Sequence, residues 1–227
     1  MEENNENKVN TDEILKETSN TFNEVKDQVK GSFKKDELKN SATQTKNFII
    51  GMFKDPVGEL KRIADGTNTT AFKYAVILVA VWMVARAITS LANASWTLNI
   101  FGRILLPLIK TIAAPILSVL VLSVTILVLN KNKDKSLVTI LSVVTAAKLP
   151  LVISAVVSLL KLISYKVSTV TSPFASVCSI VSTVLVYFGA KSLLGEEEDD
   201  KFIRTFVVIE VIYYVAYIVL DLLGIYI

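Results

Sequence analysis

Five long apolar runs, separated by short polar stretches, dominate the chain from residue 72 onward. Each run is at least as long as the roughly 20 mostly apolar residues that an α-helix needs to cross a bilayer. The pattern therefore predicts an all-α polytopic membrane protein, with a domain of five transmembrane helices over residues 72–227. The predicted spans are residues 72–91, 104–129, 137–163, 173–194 and 202–223.

The first 47 residues are polar and predict a cytosolic tail. Within this tail, at about residues 11–40, apolar side chains recur at steps of three and four, which indicates an amphipathic helix. Its thin apolar stripe consists of Leu15, Phe22, Val25, Val29 and Phe33. Two interpretations stay open. Either the lysine-rich end of the helix binds anionic lipid, or the helix is solvated or forms a short coiled coil.

A second amphipathic segment, residues 48–71, precedes the first span. Asp55 suits the N-cap of a helix and Pro56 suits its first position. Leu60 and Ile63 then share one face of that helix. We expect the helix to lie in the membrane interface and to lead into the first span.

The composition agrees with a membrane protein and excludes several kinds of function. The 227 residues are 52% hydrophobic, and a net charge of +3 is too small to indicate nucleic acid binding. There is no histidine and one cysteine, Cys178, which excludes disulfides within the chain and histidine-dependent catalysis. The glycine-rich phosphate loop and the nucleophile motifs of common enzymes are also missing. We predict no cofactor, no metal site and no enzymatic activity.

Basic side chains are more numerous on one side of the predicted spans. With the N-terminus inside, the lysine-rich loop at residues 131–135 is also inside, as are Lys191, Lys201 and Arg204. The positive-inside rule therefore predicts a cytoplasmic N-terminus and, with five spans, an outside C-terminus. Because lysine greatly outnumbers arginine, we expect the cell membrane of a bacterium; the alternative is a eukaryotic ER or Golgi membrane.

Ionisable side chains lie within the predicted spans, where a cation costs roughly 3 kcal/mol on insertion scales. With a rise of about 1.5 Å per residue, their depths favour pairing of Lys148 with Glu210, and of Asp221 with Lys110 or Arg86. Such pairs would hold the fifth span against the first three. The alternative interpretation is an ion or proton path, for which buried ionisable groups are typical.

Prolines interrupt the second and third spans. We expect Pro107 and Pro115 to kink the second span and Pro150 to kink the third, because proline lacks the N–H group that the helix needs. Lys148 lies two residues before Pro150. The middle of the third span thus combines a cation with a kink, which predicts that this span is packed inside a bundle.

Three features recur in a known family: FKDPVGELKRIADG at residues 53–66, the five spans, and AAKLPL at residues 146–151 in the third span. Together they resemble the Yip family, the Ypt/Rab-interacting membrane proteins, and especially its bacterial branch. The resemblance implies a five-span helical fold with a cytosolic N-terminus. In eukaryotic relatives it implies links to small GTPases, vesicle formation and membrane shaping.

The N-terminal region departs from the family pattern. It lacks the cysteine-rich zinc ribbon of some bacterial relatives and adds the striped helix at about residues 11–40. A small-GTPase partner is therefore doubtful for this chain.

Two hypotheses for function follow from these features. The first is a non-enzymatic integral membrane protein of Yip type, which assembles with itself or with other membrane proteins and organises the bilayer around it. The second is a small-solute or ion transporter, or a permease subunit, that uses Lys148 and Glu210.

Overall fold

A computed structural model of the chain describes residues 35–66, 69–93, 104–130, 135–163, 168–195 and 199–222. The regular secondary structure of these residues is entirely helical, so the predicted all-helical fold is confirmed for them. The predicted tail helix at about residues 11–40 lies mostly outside the described residues. So does most of the lysine-rich loop at residues 131–135.

The regular structure of the described residues consists of eight α-helices, one 3-10 helix and two π-helical residues, 104 and 105, directly before α4. Their bounds are α1 Lys35–Lys54, α2 Pro56–Asp65, α3 Thr69–Ala92, α4 Leu106–Leu129, α5 Leu137–Ala147, α6 Leu149–Ser158, the 3-10 helix Leu159–Leu162, α7 Ser168–Leu194 and α8 Asp199–Leu222.

Four of the described helices, α3, α4, α7 and α8, are long and apolar enough to cross a membrane. The pair α5 and α6 passes the same criterion only when its two helices are taken together, and a bend of 48° separates them. The described residues therefore contain four to five candidate spans. Helix α7 begins at Ser168, five residues earlier than predicted, so Pro173 lies inside the helix and not at its start.

Helix α5 is the centre of the bundle. All residues from 142 to 149 are buried, an unbroken run that includes polar and charged side chains. The helix contacts α2, α3, α4 and α7, so its whole circumference is covered by protein. A helix that is apolar on every side is typical of such a buried central position.

Helix α2 begins as its sequence predicts but lies against protein. The Gly58 N–H donates to Asp55 Oδ1 at 2.9 Å, so Asp55 is the N-cap, and Pro56 occupies the first turn. Leu60 and Ile63 are buried, and the helix packs on α7 and α5. The apolar face that we expected to meet the membrane interface is therefore covered by the transmembrane helices themselves.

Lys135 contacts the end of α2, and a ring contact joins α1 to α3. Lys135 Nζ donates to Ala64 O at 2.8 Å and lies 3.6 Å from Asp65 Oδ1. Phe48 of α1 stacks on Tyr74 of α3, with ring centroids 5.5 Å apart. The segments α1 and α2, the start of α3 and the start of α5 therefore lie together.

Gly189 marks a close approach of α7 to α5. A Cβ built on Gly189 would lie 2.8 Å from Val143 Cγ1 and 4.0 Å from Leu60 Cδ2. The first distance is too short for two carbon atoms in ordinary contact, so only glycine permits this spacing. Gly189 thus allows α7, α5 and α2 to meet at one point.

Helix α8 lies at the edge of the bundle. It packs chiefly on α4 and only slightly on α7. In its most apolar window 6% of the residues are buried, compared with 44% for α4. Near its N-terminus, Phe202 and Phe206 pack edge-on against Tyr187 of α7, with centroids 5.0 and 5.1 Å away.

Replacing Gly189 with leucine should destabilise the bundle, because the new side chain would displace Val143 and Leu60. We expect a loss of about 1–3 kcal/mol in the free energy of unfolding, measured in mild detergent. Val184→Leu on the exposed face of the same helix is the control and should have no effect. Adding Val143→Ala to Gly189→Leu should restore part of the loss. Equal stability of all these variants would contradict the close approach.

Candidate functional site

The bend between α5 and α6 occurs at a buried lysine. Lys148 ends the first helix and precedes the second, with φ −84° and ψ 1°. Pro150, in the first turn of α6, has no N–H to continue the helical ladder, and its ring would clash with the carbonyl of the preceding turn. The bend of 48° therefore lies where Pro150 is expected to kink the span.

The bend changes the backbone hydrogen bonds around Lys148. The Leu151 N–H donates to Lys148 O at 2.9 Å, three residues back, and not to Ala147 O, four residues back. Ala147 O instead accepts a hydrogen bond of 3.2 Å from Ser182 Oγ of α7, within the buried core. The break leaves Ala147 O without its helical donor, and an unpaired carbonyl is costly in hydrocarbon. The hydrogen bond from Ser182 satisfies this carbonyl.

The side chain of Lys148 reaches α8. It is only 6% exposed, and its Nζ lies 4.9 Å from the centroid of the Tyr213 ring. An ammonium group over an aromatic face is stabilised by the ring quadrupole, by about 2 kcal/mol or more when both are shielded from water. The principal contact of the buried cation is therefore an aromatic ring and not a carboxylate.

Glu210 lies one turn before Tyr213 on α8 and is half-buried. It is close enough to interact electrostatically with Lys148, but the two side chains form no direct ion pair in the described structure. The predicted partners are thus brought into one neighbourhood without the contact that we expected. The ring of Tyr213 occupies the position beside Lys148 Nζ where the Glu210 carboxylate was expected.

Tyr213 also joins α8 to α4. Its hydroxyl shares a hydrogen bond of 2.9 Å with Ser118 Oγ, and Ser118 is buried. Beside them is a space of about 10 Å³, lined also by Leu117, Val121 and Tyr217. That volume is roughly what one water molecule needs. We call Lys148, Tyr213, Glu210 and Ser118 the Lys148 cluster.

The second predicted set of charge pairs does not form in the described structure. Asp221 is exposed in the last turn of α8, and in the described part of the chain it forms no ion pair with Lys110 or Arg86. Both cations are only partly buried. Helix α8 packs on α4 along one side only, and charged groups near helix ends can extend to the membrane surface without a partner.

Both prolines of the second span lie in α4, as the sequence predicts. Pro107 lies in the first turn of α4, shortly after the π-helical residues Ile104 and Leu105, and the predicted kink at this residue stays a prediction. Pro115 lies inside α4, which continues as one helix from Leu106 to Leu129.

Sequence reasoning did not identify Tyr213, Ser118 or Ser182 as members of the site. Tyr213 carries a weak signal, since it lies three residues after Glu210 and therefore on the same face of its helix. Ser182 and Ser118 carry none, because serines are common in transmembrane helices wherever helices pack closely. Among the described residues there is also no group of three or more metal-ligating side chains.

Comparison of the chain with protein-family models, with curated proteins and with solved structures finds no match. The resemblance to the Yip family therefore stays a prediction from the sequence features alone.

Tyr213 should stabilise the bundle through both of its contacts. Tyr213→Phe keeps the ring over Lys148 and loses the Ser118 hydrogen bond, so we expect a loss of roughly 0.6 kcal/mol, the average for such bonds in membranes. Tyr213→Ala removes both contacts and should cost about 3 kcal/mol or more. The measurement is the free energy of unfolding in mild detergent.

The control for this series is Tyr214→Phe, because Tyr214 is 58% exposed and should tolerate the change. A Tyr213→Ala variant as stable as the Tyr214→Phe control would show that the Lys148 cluster does not hold α8.

Proposed function

We propose that this chain is a non-enzymatic, five-span membrane protein that acts by assembling with itself or with other membrane proteins. In this proposal α5 and α6 form one bent span, and α3, α4, α7 and α8 are the other four. The N-terminus is cytoplasmic and the C-terminus is outside, in the cell membrane of a bacterium.

The arrangement of the helix ends supports this orientation. Lys135 contacts Ala64, a Cβ on Gly189 would lie 4.0 Å from Leu60, and Phe202 packs on Tyr187. The segment before the first span, the start of α5, the end of α7 and the start of α8 therefore lie at one end of the bundle. Lys135, the last residue of the lysine-rich loop, lies at that same end, which the positive-inside rule assigns to the cytoplasm.

The observation that carries the proposal is that polar side chains within the spans make contacts between helices. Lys148, Tyr213, Ser118 and Ser182 contact groups on neighbouring helices and hold the bundle together. Two cavities in the described part of the chain, of about 360 and 280 Å³, lie elsewhere and are lined by apolar side chains, with Cys178 in the first. Polar side chains that join helices are typical of a structural membrane domain.

The surface available for assembly is the outer face of α8. Its exposed apolar residues include Val207, Val211, Val215, Ile218 and Leu222. In a bilayer this face contacts lipid or another transmembrane helix. The cytosolic contact in the proposal is the N-terminal tail, whose charged and striped sequence suits a protein partner or anionic lipid, whereas a small GTPase is doubtful.

Cysteine crosslinking in native membranes tests the assembly. In a Cys178→Ser background, Val211→Cys on α8 should crosslink to a second copy or to another membrane protein, identified by mass spectrometry. Val84→Cys, on the exposed face of α3, is the matched control, because that residue is 58% exposed but belongs to a different helix. A protein that remains monomeric, with no crosslinked partner in either variant, would contradict the proposal.

The Lys148 cluster favours a second candidate function, transport of a small solute or ion. Broken helices near the middle of the membrane form ion sites in many transporters, and Lys148 lies at such a break with Glu210 nearby. In this case Glu210→Gln should lower flux into liposomes about tenfold or more. A tenfold change corresponds to about 1.4 kcal/mol in the activation free energy of transport. Unchanged flux, or none with the unmodified protein, would rule this candidate out.

A further inference from the structure

The corner between α1 and α2 carries apolar side chains on its outer side. Ile50 is 42% exposed, Phe53 is 71% exposed and Val57 is 39% exposed. Ile50 and Phe53 are three residues apart and share one face of α1, and Val57 follows in the first turn of α2. We call these three residues the corner patch. It is distinct from the buried face of α2 that packs on α5 and α7, which begins at Leu60.

Close packing fixes the shape of the corner. The Asp55 N–H donates to Gly51 O at 2.8 Å, and Asp55 Oδ1 accepts from the N–H of Gly58. A Cβ built on Gly51 would lie 2.6 Å from Glu59 Oε1, so the two helices are in contact directly beside the corner. The corner patch is therefore presented by two helices that hold each other in place.

The corner patch lies on a side of the bundle that lipid covers. Phe53 lines the same cavity as Phe174 and Val181 of α7, and both of these residues are also exposed. Next to them, Val177 and Val184 extend the exposed apolar surface along this candidate span. Exposed apolar side chains along a span contact the hydrocarbon of the bilayer. The corner patch continues that surface towards one end of the span.

Helix α2 runs beside the end of α7 in the same direction. A Cβ on Gly189 would lie 4.0 Å from Leu60 Cδ2, and four residues earlier on each helix Pro56 and Leu185 line one cavity. The corner is therefore level with Leu185, about 14 Å before the end of α7. The 27 residues of α7 rise about 40 Å, which exceeds the roughly 30 Å of a hydrocarbon core. Lys191 in its last turn indicates that this end extends beyond the hydrocarbon.

The start of α8 indicates where the membrane boundary lies. Lys201 is the last of three charged residues at this end of the helix, and the apolar part begins at Phe202. The Phe202 ring packs on Tyr187 of α7, with centroids 5.0 Å apart. Leu185 is two residues before Tyr187, or about 3 Å of helix rise farther into the membrane. The corner patch therefore lies close to the boundary, on its membrane side.

Charges directly beside the corner patch offset one another. Lys54 is followed by Asp55, and both side chains are exposed. Glu59 forms an ion pair of 2.7 Å with Arg62. Attraction to anionic lipid therefore gains little from this surface, whereas exposed apolar side chains at the boundary gain from entering the acyl region.

We propose that the corner patch inserts into the bilayer at the boundary between headgroups and acyl chains. The leaflet is the one at which α8 begins, which is the cytoplasmic leaflet in the orientation proposed above. Phe53 is the principal anchor, because it is the most exposed of the three side chains. The insertion fixes the height of α1 and α2 relative to the lipid surface. It is independent of assembly through α8.

Electron paramagnetic resonance of the full chain in liposomes tests the proposal. In a Cys178→Ser background, a nitroxide on Phe53→Cys should lie about 5–10 Å deep, as the apolar face of an interfacial helix does. The depth follows from collisions of the label with oxygen, which is enriched in hydrocarbon, and with a water-soluble nickel complex. Lys61→Cys, exposed on α2 beyond the corner, is the matched control and should meet the nickel complex freely.

Two results would overturn the proposal. Equal access of the nickel complex to the labels at residues 53 and 61 would show that the corner patch faces water. A label at residue 53 that neither oxygen nor nickel reaches would show that protein covers the patch. Repeating the measurement after deletion of residues 1–34 would then identify whether the N-terminal segment is that cover.

A second variant tests Phe53 as the anchor. With the nitroxide on Ile50→Cys, the substitution Phe53→Ser should make the label shallower. Lys54→Ser, one residue farther along the chain, is the control and should leave the depth unchanged. Both residues are exposed, so neither substitution removes a core side chain. Equal depths in the two variants would contradict anchoring by Phe53.

Lipid composition separates apolar insertion from charge attraction. The depth of the label at residue 53 should be the same in liposomes of phosphatidylcholine and in liposomes that also contain phosphatidylglycerol. A depth that appears only with the anionic lipid, and is lost in high salt, would show that lysine side chains hold the corner and that apolar insertion is wrong.

Discussion

The backbone hydrogen bond that is lost at the bend between α5 and α6 constrains the rest of the structure. In hydrocarbon an unsatisfied carbonyl costs several kilocalories per mole, so a bend is tolerated only where other groups supply donors. Pro150 removes one donor, and the Leu151 N–H turns to Lys148 O. Ser182 then donates to Ala147 O from α7, which fixes α7 against the bend. The central position of α5 follows from the same requirement, because lipid can supply no donor.

The buried Lys148 at the bend requires a favourable neighbour from α8. Lys148 is buried within the bundle, and its ammonium group needs a favourable neighbour in a region without water. Tyr213 supplies a ring face, while its hydroxyl reaches Ser118 of α4. A helix that buries few residues is thereby attached to the bundle at a defined height, with Glu210 on the same side. The broad outer face of α8 is left for lipid or for another protein.

The segment before the first span packs directly against the apolar helices. Helix α2 uses its apolar face to cover α5 and α7, and the glycine at residue 189 allows the three helices to meet. Met52, Phe53 and Pro56 of the corner between α1 and α2 line an apolar cavity of about 360 Å³ together with residues of α6 and α7. A polar, charged entry segment is thus joined by packing to the same helices that surround the bend.

The sequence by itself determined which segments from Asp55 onward are helical and apolar, since run length and the positions of proline and of Asp55 act locally. It did not predict α1, which continues from Lys35 to Lys54 across the predicted boundary at residue 47. It also located the bend, because Pro150 removes a donor wherever its helix lies. The partners across helices were decided only by the tertiary structure. Lys148 meets Tyr213 and not Glu210, Asp221 meets neither Lys110 nor Arg86, and α2 covers protein where the sequence favoured lipid. Helices that are apolar on every side carry no pattern that selects a neighbour, because lipid and protein interiors are equally apolar.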